Sequence, residues 1–391
     1  MRLGQGGSLP GQLTVPPPLA LYVHLPWCVK KCPYCDFNSH AAQAIPEAAY
    51  LDAIERDLMA ALPQVWGREV VSIFIGGGTP SLFSAAGIDR LLALARTLLR
   101  VSPVAEVTLE ANPGTFEAEK FRDFRVAGVN RLSLGIQSFD DAALRRIGRI
   151  HDGAEARAAA EAARVIFDNL NLDLIYALPG QTEADLQRDL EAAIAIGPDH
   201  VSAYHLTLEP NTAFAHTPPA NLPDDDTAAG MQEQVEATLA AAGYGHYETS
   251  AYARPYRQAR HNLNYWQFGD YLGIGAGAHS KLSLPEGIVR QARVRHPDAY
   301  MQHAGTPLAL SETPVPPRDL PFEFMMNALR LIEGVDAGLF TERTGLPLLN
   351  CAPQLAQARL RGLLTGDLSR LQPTLLGQRF LNDLLTLFLP D

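Results

Sequence analysis

At 391 residues the chain exceeds what one ordinary hydrophobic core serves, which points to a large α/β unit of roughly 200–250 residues with a smaller unit beside it. Its 47% hydrophobic and 19% charged residues are those of a soluble globular protein that needs no disulfide framework. A formal net charge of −11 excludes nucleic acid and anionic membrane surfaces as default partners, and no apolar run approaches the ~20 residues of a membrane span, so the chain is not an integral membrane protein.

Residues 1–18 hold one Arg, several Gly and a proline run without an apolar centre. They read as a flexible leader and not as a secretory signal, and the protein is expected in the cytoplasm. From Leu19 onward short apolar runs alternate with polar or glycine-rich turns and longer amphipathic segments. The spacing predicts strands at 19–24, 70–75, 106–110, 131–134, 171–175 and 200–205, with helices at 46–62, 86–99, 117–127, 154–167 and 182–195. Thr182 ahead of Glu183 and Asp185 marks a helix start, and Gly128 and Gly197 mark helix ends. Six parallel strands joined by right-handed helical crossovers curl into a partial (β/α)6 barrel, whose chemistry belongs at the C-terminal rim of the strands.

The repeat stops after Pro210. A proline- and aspartate-rich loop leads to a helix at 227–242, a sheet-like stretch at 244–253 and a glycine-rich segment at 268–280. Helices at 322–332, 337–344 and 353–361, a hairpin of 368–373 with 374–376, and a terminal helix at 378–388 make a C-terminal, mainly helical, winged-helix-like domain. The expected division is a leader at 1–18, a barrel at 19–210, a barrel extension at 211–318 and the helical domain at 319–391. Net acidity assigns the last of these a packing or partner role instead of DNA binding.

Three of the four cysteines lie within eight residues, as Cys28, Cys32 and Cys35, and in a reducing compartment such a group reads as metal-binding. Three thiolates on a [4Fe-4S] cube leave its last iron open to an outside ligand. A structural zinc would instead need a fourth protein ligand, for which His24, His40 and Cys351 are the candidates. Trp27 and Tyr34 offer an apolar wall for a cluster. The turn Gly76-Gly77-Gly78-Thr79-Pro80 lets backbone approach a ligand, or is simply a tight turn. Cys351 reads as a buried inert thiol. In the segment His261-Asn262-Leu263-Asn264-Tyr265-Trp266 the histidine is either a hydrogen-bonded core residue or a heme ligand beside two flat aromatic surfaces.

Cysteines in a C-x3-C-x2-C arrangement after a first strand, with an aromatic before the last, resemble the radical S-adenosylmethionine (SAM) superfamily. The resemblance implies a radical-SAM barrel whose cluster is held by Cys28, Cys32 and Cys35. Its open iron is chelated by SAM, and an electron donor reduces the cluster so that SAM yields a 5′-deoxyadenosyl radical. It further implies SAM contacts from Tyr22, Tyr34, Gly77, Gly78, Thr79, Glu110, Gln137, Arg149, Asp173, Thr207 and His279, the last matching only a position of another residue type. In this set Arg149 suits the SAM carboxylate, and the acidic side chains suit ribose hydroxyls or the ammonium.

Tyr22-x-His24-Leu25-Pro26, the GGGTP turn, the GIQS segment at Gly135 to Ser138 and the run from Asp173 to Gly180 are similar to the group around oxygen-independent coproporphyrinogen III oxidase, from about Leu19 to the C-terminus. Two departures weigh against oxidase activity. Phe37 stands where the oxidase has a further cysteine, and 27 Gly/Pro-rich residues precede Cys28 where the oxidase has a longer segment. Both departures, and the H-N-x-x-Y-W marker, are those of the heme chaperone branch. That branch implies binding of heme or another tetrapyrrole, transfer to an acceptor protein, and a heme surface, separate from the SAM site, that includes His261, Tyr265 and Trp266. The rival functions are radical-SAM oxidative decarboxylation of coproporphyrinogen III and a radical-SAM reaction on an unrelated substrate.

Overall fold

A computed structural model describes residues 13, 15–115 and 118–390; most of the expected leader lies outside them. The strands of the main sheet are β1 (Leu19–Leu25), β2 (Glu69–Gly77), β3 (Arg100–Ala111), β4 (Arg131–Gln137), β5 (Leu170–Tyr176), β6 (His200–His205), β7 (Gly245–Glu248), β8 (Ala251–Ala253), β9 (Asp270–Ile274), β10 (His279–Leu284), β11 (Gly287–Arg293) and β12 (Leu310–Pro314). Among the described residues they form one 12-stranded sheet, in the order β12-β11-β10-β9-β1-β2-β3-β4-β5-β6-β8-β7.

The six predicted parallel strands are present as β1 to β6, each pairing in parallel with the next. A further parallel strand was not foreseen. β9 joins the free edge of β1, with Leu19 opposite Asp270 and Val23 opposite Ile274. The glycine-rich stretch around it obscures its short apolar run, and only the vacant edge of β1 shows where it belongs. Antiparallel strands then continue the sheet at both ends, so it curls without closing.

Alternation along each strand decides what the curl encloses. Ile73, Ile75, Val107, Leu109, Leu132, Leu134, Leu170, Leu172, Val201 and Ala203 point outward into the main core beneath the helices. Phe74, Glu110, Arg131, Ser133, Asn171, Asp173, His200, Ser202 and Tyr204 line the concave side. A closed barrel usually packs this interior with branched aliphatics. Here the lumen is open and lined by aromatic as well as charged and polar side chains.

The outer helices Glu47–Val65, Ala85–Leu98, Ala118–Ala127, Gly153–Ile166 and Glu183–Ile196 agree with the sequence to within a few residues. Thr182 and Asp185 close a reciprocal capping box, and Gly197 ends its helix in the left-handed region. The C-terminal region packs in a second core, built on Phe324, Phe340, Leu355, Leu371 and Leu384, that it shares with Tyr247, Ala251, Phe268 and Ile288. Two details there differ from expectation. Arg370–Leu371 pairs with Val335–Asp336, not with 374–376, because the Thr374 hydroxyl accepts from Gly377 N at 3.1 Å and starts a helix at Leu375. The single terminal helix is divided into Leu375–Arg379 and Leu381–Thr386, since Phe380 leaves helical geometry.

Candidate functional site

After β1 the chain makes a loop that is pinched at its base, where Trp27–Cys28 pairs with His40–Ala41. Asn38 ties the loop to the far side of the sheet. Its side chain donates to the carbonyls of Ala276 and Arg295, both at 2.9 Å, and its own carbonyl lies 2.8 Å from His24 Nε2. Cys28, Cys32 and Cys35 are free thiols on one cavity of about 160 Å³, walled also by Gly77, Gly78, Thr79, Glu110, Asn112, Gln137 and Arg149. Burial raises the Cys28 and Cys35 thiols above the ordinary range.

Zinc does not fit this arrangement. Among the described residues no three His, Cys, Asp or Glu side chains converge on a point that holds one metal ion. Both ring nitrogens of His24 are engaged, by Tyr22 Oη and Asn38 O at 2.8 Å each. His40 lies against the ring of His296, and Cys351 is buried in the C-terminal core with its thiol pushed up to about 11. Three thiols around one cavity, with no His or fourth Cys on its lining among the described residues, fit a [4Fe-4S] cube with an open iron. Trp27 is not the wall the sequence suggested. It packs edge-on against Tyr50, with centroids 4.6 Å apart, inside the main core. Tyr34 does line the cavity.

The turn after β2 is built for close approach. Gly77 has φ +115, and a Cβ there would stand 2.6 Å from the His24 ring; a Cβ on Gly78 would collide with the Trp27 carbonyl. Gly78 N donates to Leu25 O at 2.8 Å and Thr79 N to Trp27 O at 2.7 Å, which locks the turn against the cysteine loop. Arg149 donates to Asn112 Oδ1 at 2.6 Å and to Gly135 O at 2.7 Å, and its Nη1 lies 3.7 Å from Cys32 Sγ. Gln137 ends β4 with φ +69, a strained conformation for a side chain-bearing residue.

Two carboxyls face this end of the lumen. Burial, with the charge of Asp173 beside it, pushes Glu110 up to about 8, while Gly77 N donates to it at 3.1 Å. Asp173 is raised by burial and is held by Asn171 at 2.8 Å and Ser133 at 3.1 Å. Carboxyls kept from water in this way gain most when a cation or hydroxyl arrives. Asn112 and Ser133 escaped the sequence reading as site residues. Their signal was positional, one at a strand end and one on a concave-facing position of β4.

Glu110, Gln137, Asp173, Gly77 and Tyr34 also line a second, larger cavity of about 1140 Å³, the barrel lumen itself. Tyr22, Thr207 and His279 reach this lumen but not the cysteine cavity. Thr207 is exposed and donates to His205 O at 3.3 Å; His279 is exposed at the start of β10, its basicity lowered by partial burial. Phe37, 59% exposed, stands at the rim of both cavities. His246 stacks on Tyr252, with centroids 4.4 Å apart, and lies away from both cavities.

The HNLNYW segment is the helix Arg260–Trp266, and it closes the lumen from below. Arg260 N donates to Glu106 Oε1 at 2.9 Å, Arg260 Nη1 donates to Val104 O at 2.7 Å, and Asn264 Nδ2 donates to Asp270 O at 2.8 Å, which pins the helix between β3 and β9. His261, Tyr265 and Trp266 therefore line the same lumen as the SAM-type residues, not a separate surface. Burial, with the Arg131 charge nearby, drives the His261 imidazole well below its ordinary basicity, so it is neutral and able to ligate a metal. Its Nδ1 and the Trp266 Nε1 are shielded and have no hydrogen-bond partner among the described residues.

Comparison with known proteins agrees with the geometry. Residues 22–193 match the radical SAM superfamily, and residues 315–380 match the HemN C-terminal domain. The superfamily match implies a [4Fe-4S] cluster and SAM. The heme chaperone HemW of Escherichia coli is 49% identical over 96% of this chain and 99% of its own, and that of Bacillus subtilis is 33% identical over 95% and 99%. Among solved structures, the coproporphyrinogen III oxidase of Escherichia coli superposes with a TM-score of 0.80 at 25% identity, covering 95% of this chain and 90% of its own.

Proposed function

We propose that this chain, which belongs to the HemW heme chaperone family of the radical SAM superfamily, binds heme and passes it to an acceptor protein while carrying a [4Fe-4S] cluster and SAM. The observation that carries the reading is the helix Arg260–Trp266, which turns an unsatisfied neutral imidazole and two aromatic rings into a lumen of about 1140 Å³. Ligand pockets of small molecules usually measure ≈ 300–1,000 Å³, so this one has room for a tetrapyrrole beside a nucleoside-sized partner.

Each residue has a task in this reading. Cys28, Cys32 and Cys35 hold the cluster, which supplies one-electron chemistry when reduced by an external donor. Gly77, Gly78 and Thr79 present backbone to the methionyl end of SAM, Arg149 faces its carboxylate, and Tyr34 shields the cysteine side. Glu110, Gln137 and Asp173 accept from its hydroxyls and ammonium; Tyr22, Thr207 and His279 border the space it leaves. His261 would hold the heme iron, and Tyr265 and Trp266 would lie against the porphyrin. The protein works in the cytoplasm, where thiols stay reduced.

A second reading, oxidative decarboxylation of coproporphyrinogen III, is favoured by the shared architecture with the oxidase. Phe37 at the cavity rim weighs against it. Anaerobic assay of the reconstituted protein separates the two. Retention of a heme Soret band through gel filtration, shifted in His261→Ala, supports the chaperone; protoporphyrinogen formed at ordinary turnover rates sinks it.

A further inference from the structure

Buried cations in this protein have partners, with one exception among the described residues. Lys281 reaches Asp270 at 2.9 Å, Arg293 reaches Asp57 at 3.2 Å, and Arg149 donates to Asn112 and Gly135. Arg131, at the start of β4, is 2% exposed and lines the lumen. Its Nε is shielded without a hydrogen-bond partner, and its guanidinium makes no ion pair with a described residue.

The nearby carboxyls hold other hydrogen-bond partners and meet Arg131 only through its field, which lowers Glu110 and Asp173 against the burial that raises them. Glu106 accepts from Arg260 N, Glu110 accepts from Gly77 N, and Asp173 is held by Asn171 and Ser133. His200 is occupied by Asn171 at 2.6 Å and Tyr247 at 2.8 Å. Across the ladder from Arg131 stands Thr108, whose hydroxyl is also shielded and unpaired. A buried guanidinium is costly unless paired, and its planar fork matches a carboxylate through two parallel hydrogen bonds. The SAM carboxylate is not the match, because Arg149 is held at Gly135, four residues and about 13 Å further along the same strand at 3.3 Å per residue.

We propose that Arg131 is the docking point for a carboxylate of the ligand that enters the lumen, a propionate of the tetrapyrrole. This rests on the heme-binding reading. Heme would then be fixed at two points on the lumen floor, its iron by His261 and its acidic edge by Arg131. An entering anion completes the pair that the fold leaves open, so ligands are selected for their acidic side chains as well as for their ring.

The test uses the full chain with its cluster, and hemin and hemin dimethyl ester as probes. Wild type is expected to bind hemin at least tenfold tighter than the ester. Arg131→Met loses that difference and binds both like the ester; Arg131→Lys keeps most of it, and SAM affinity shifts far less than hemin affinity in either variant. In the ligand-free protein Arg131→Met should lower the melting temperature only slightly, because it breaks no ion pair and removes only the field felt by Glu110 and Asp173, whereas a merely structural arginine would give a large drop. Equal affinity of wild type for hemin and ester overturns the proposal without needing any variant. So does a hemin affinity unchanged in Arg131→Met, or a loss shared equally by both probes or by SAM. Wild type that binds hemin but ignores its carboxylates leaves the heme reading standing; wild type that binds no hemin removes both.

Discussion

The imidazole of His261 lies against the ring of Phe74, with centroids 3.9 Å apart, and Phe74 in turn stacks on Tyr22 at 6.1 Å. A short helix more than two hundred residues beyond the cysteines is thereby seated on β1 and β2, whose C-terminal ends carry the cysteine loop and the glycine turn. Phe74→Ala removes one wall of the His261 ring. We expect a loss of about 2 kcal/mol in stability from the lost apolar burial, together with weaker heme binding, while the visible absorbance of the cluster stays. Urea denaturation and heme titration on one preparation check this; cluster loss in parallel would show that the ring supports the cysteine loop instead.

Gly77→Ala puts a methyl group into the His24 ring at a backbone angle that side chains resist. His24 cannot yield, because both its nitrogens are held. SAM affinity should fall at least tenfold with cluster content unchanged, as read by equilibrium dialysis and iron analysis.

Glu110 gives a pH signature. Its folded-state value of about 8 lies above the ordinary 4.5, so its burial costs nothing below pH 4.5 and destabilises the fold increasingly as pH rises toward 8. Glu110→Gln removes that dependence. The variant's stability relative to wild type should therefore grow between pH 4.5 and 8 and level off above, in denaturation curves of the SAM-free protein. A constant difference across that range would contradict the assignment.

Asp270 anchors the added parallel strand. It pairs with buried Lys281 at 2.9 Å and with Arg68 at 2.8 Å, and accepts from Ser283 N and Oγ, both at 2.8 Å. Asp270→Asn leaves Lys281 uncompensated and should cost about 3–5 kcal/mol. Since the Asp270 carbonyl also receives Asn264, heme affinity should drop with it, measured at a temperature where the variant remains folded.

Much of the fold was legible because its signals are local. The βα alternation, the capping box at Thr182 and the glycine at 197 each depend on residues within a turn or two of one another. The cysteine spacing and the GGGTP turn were legible for the same reason. The strand at Asp270–Ile274 was not, since it is defined by the free edge of β1, and the hairpin at 368–376 was misplaced because a two-residue strand has too little pattern to choose its partner. Trp27 read as a cofactor wall and proved to be core, a difference that depends on which face of a two-residue strand meets Tyr50.

The sequence by itself determined the chemistry on offer: three clustered thiols, a glycine turn, acidic and amide side chains at successive strand ends, and a histidine–aromatic segment. Only the tertiary structure decided that these share one lumen. Strand alternation sends one set of residues outward into apolar packing and the other inward. Curling without closing then turns the inward set into an open cavity of mixed polar and aromatic lining, and the helix Arg260–Trp266 becomes its floor. Arg131 makes the same point on a single residue. In the sequence it is one of many arginines, and only the curled sheet leaves it buried without an ion pair among the described residues.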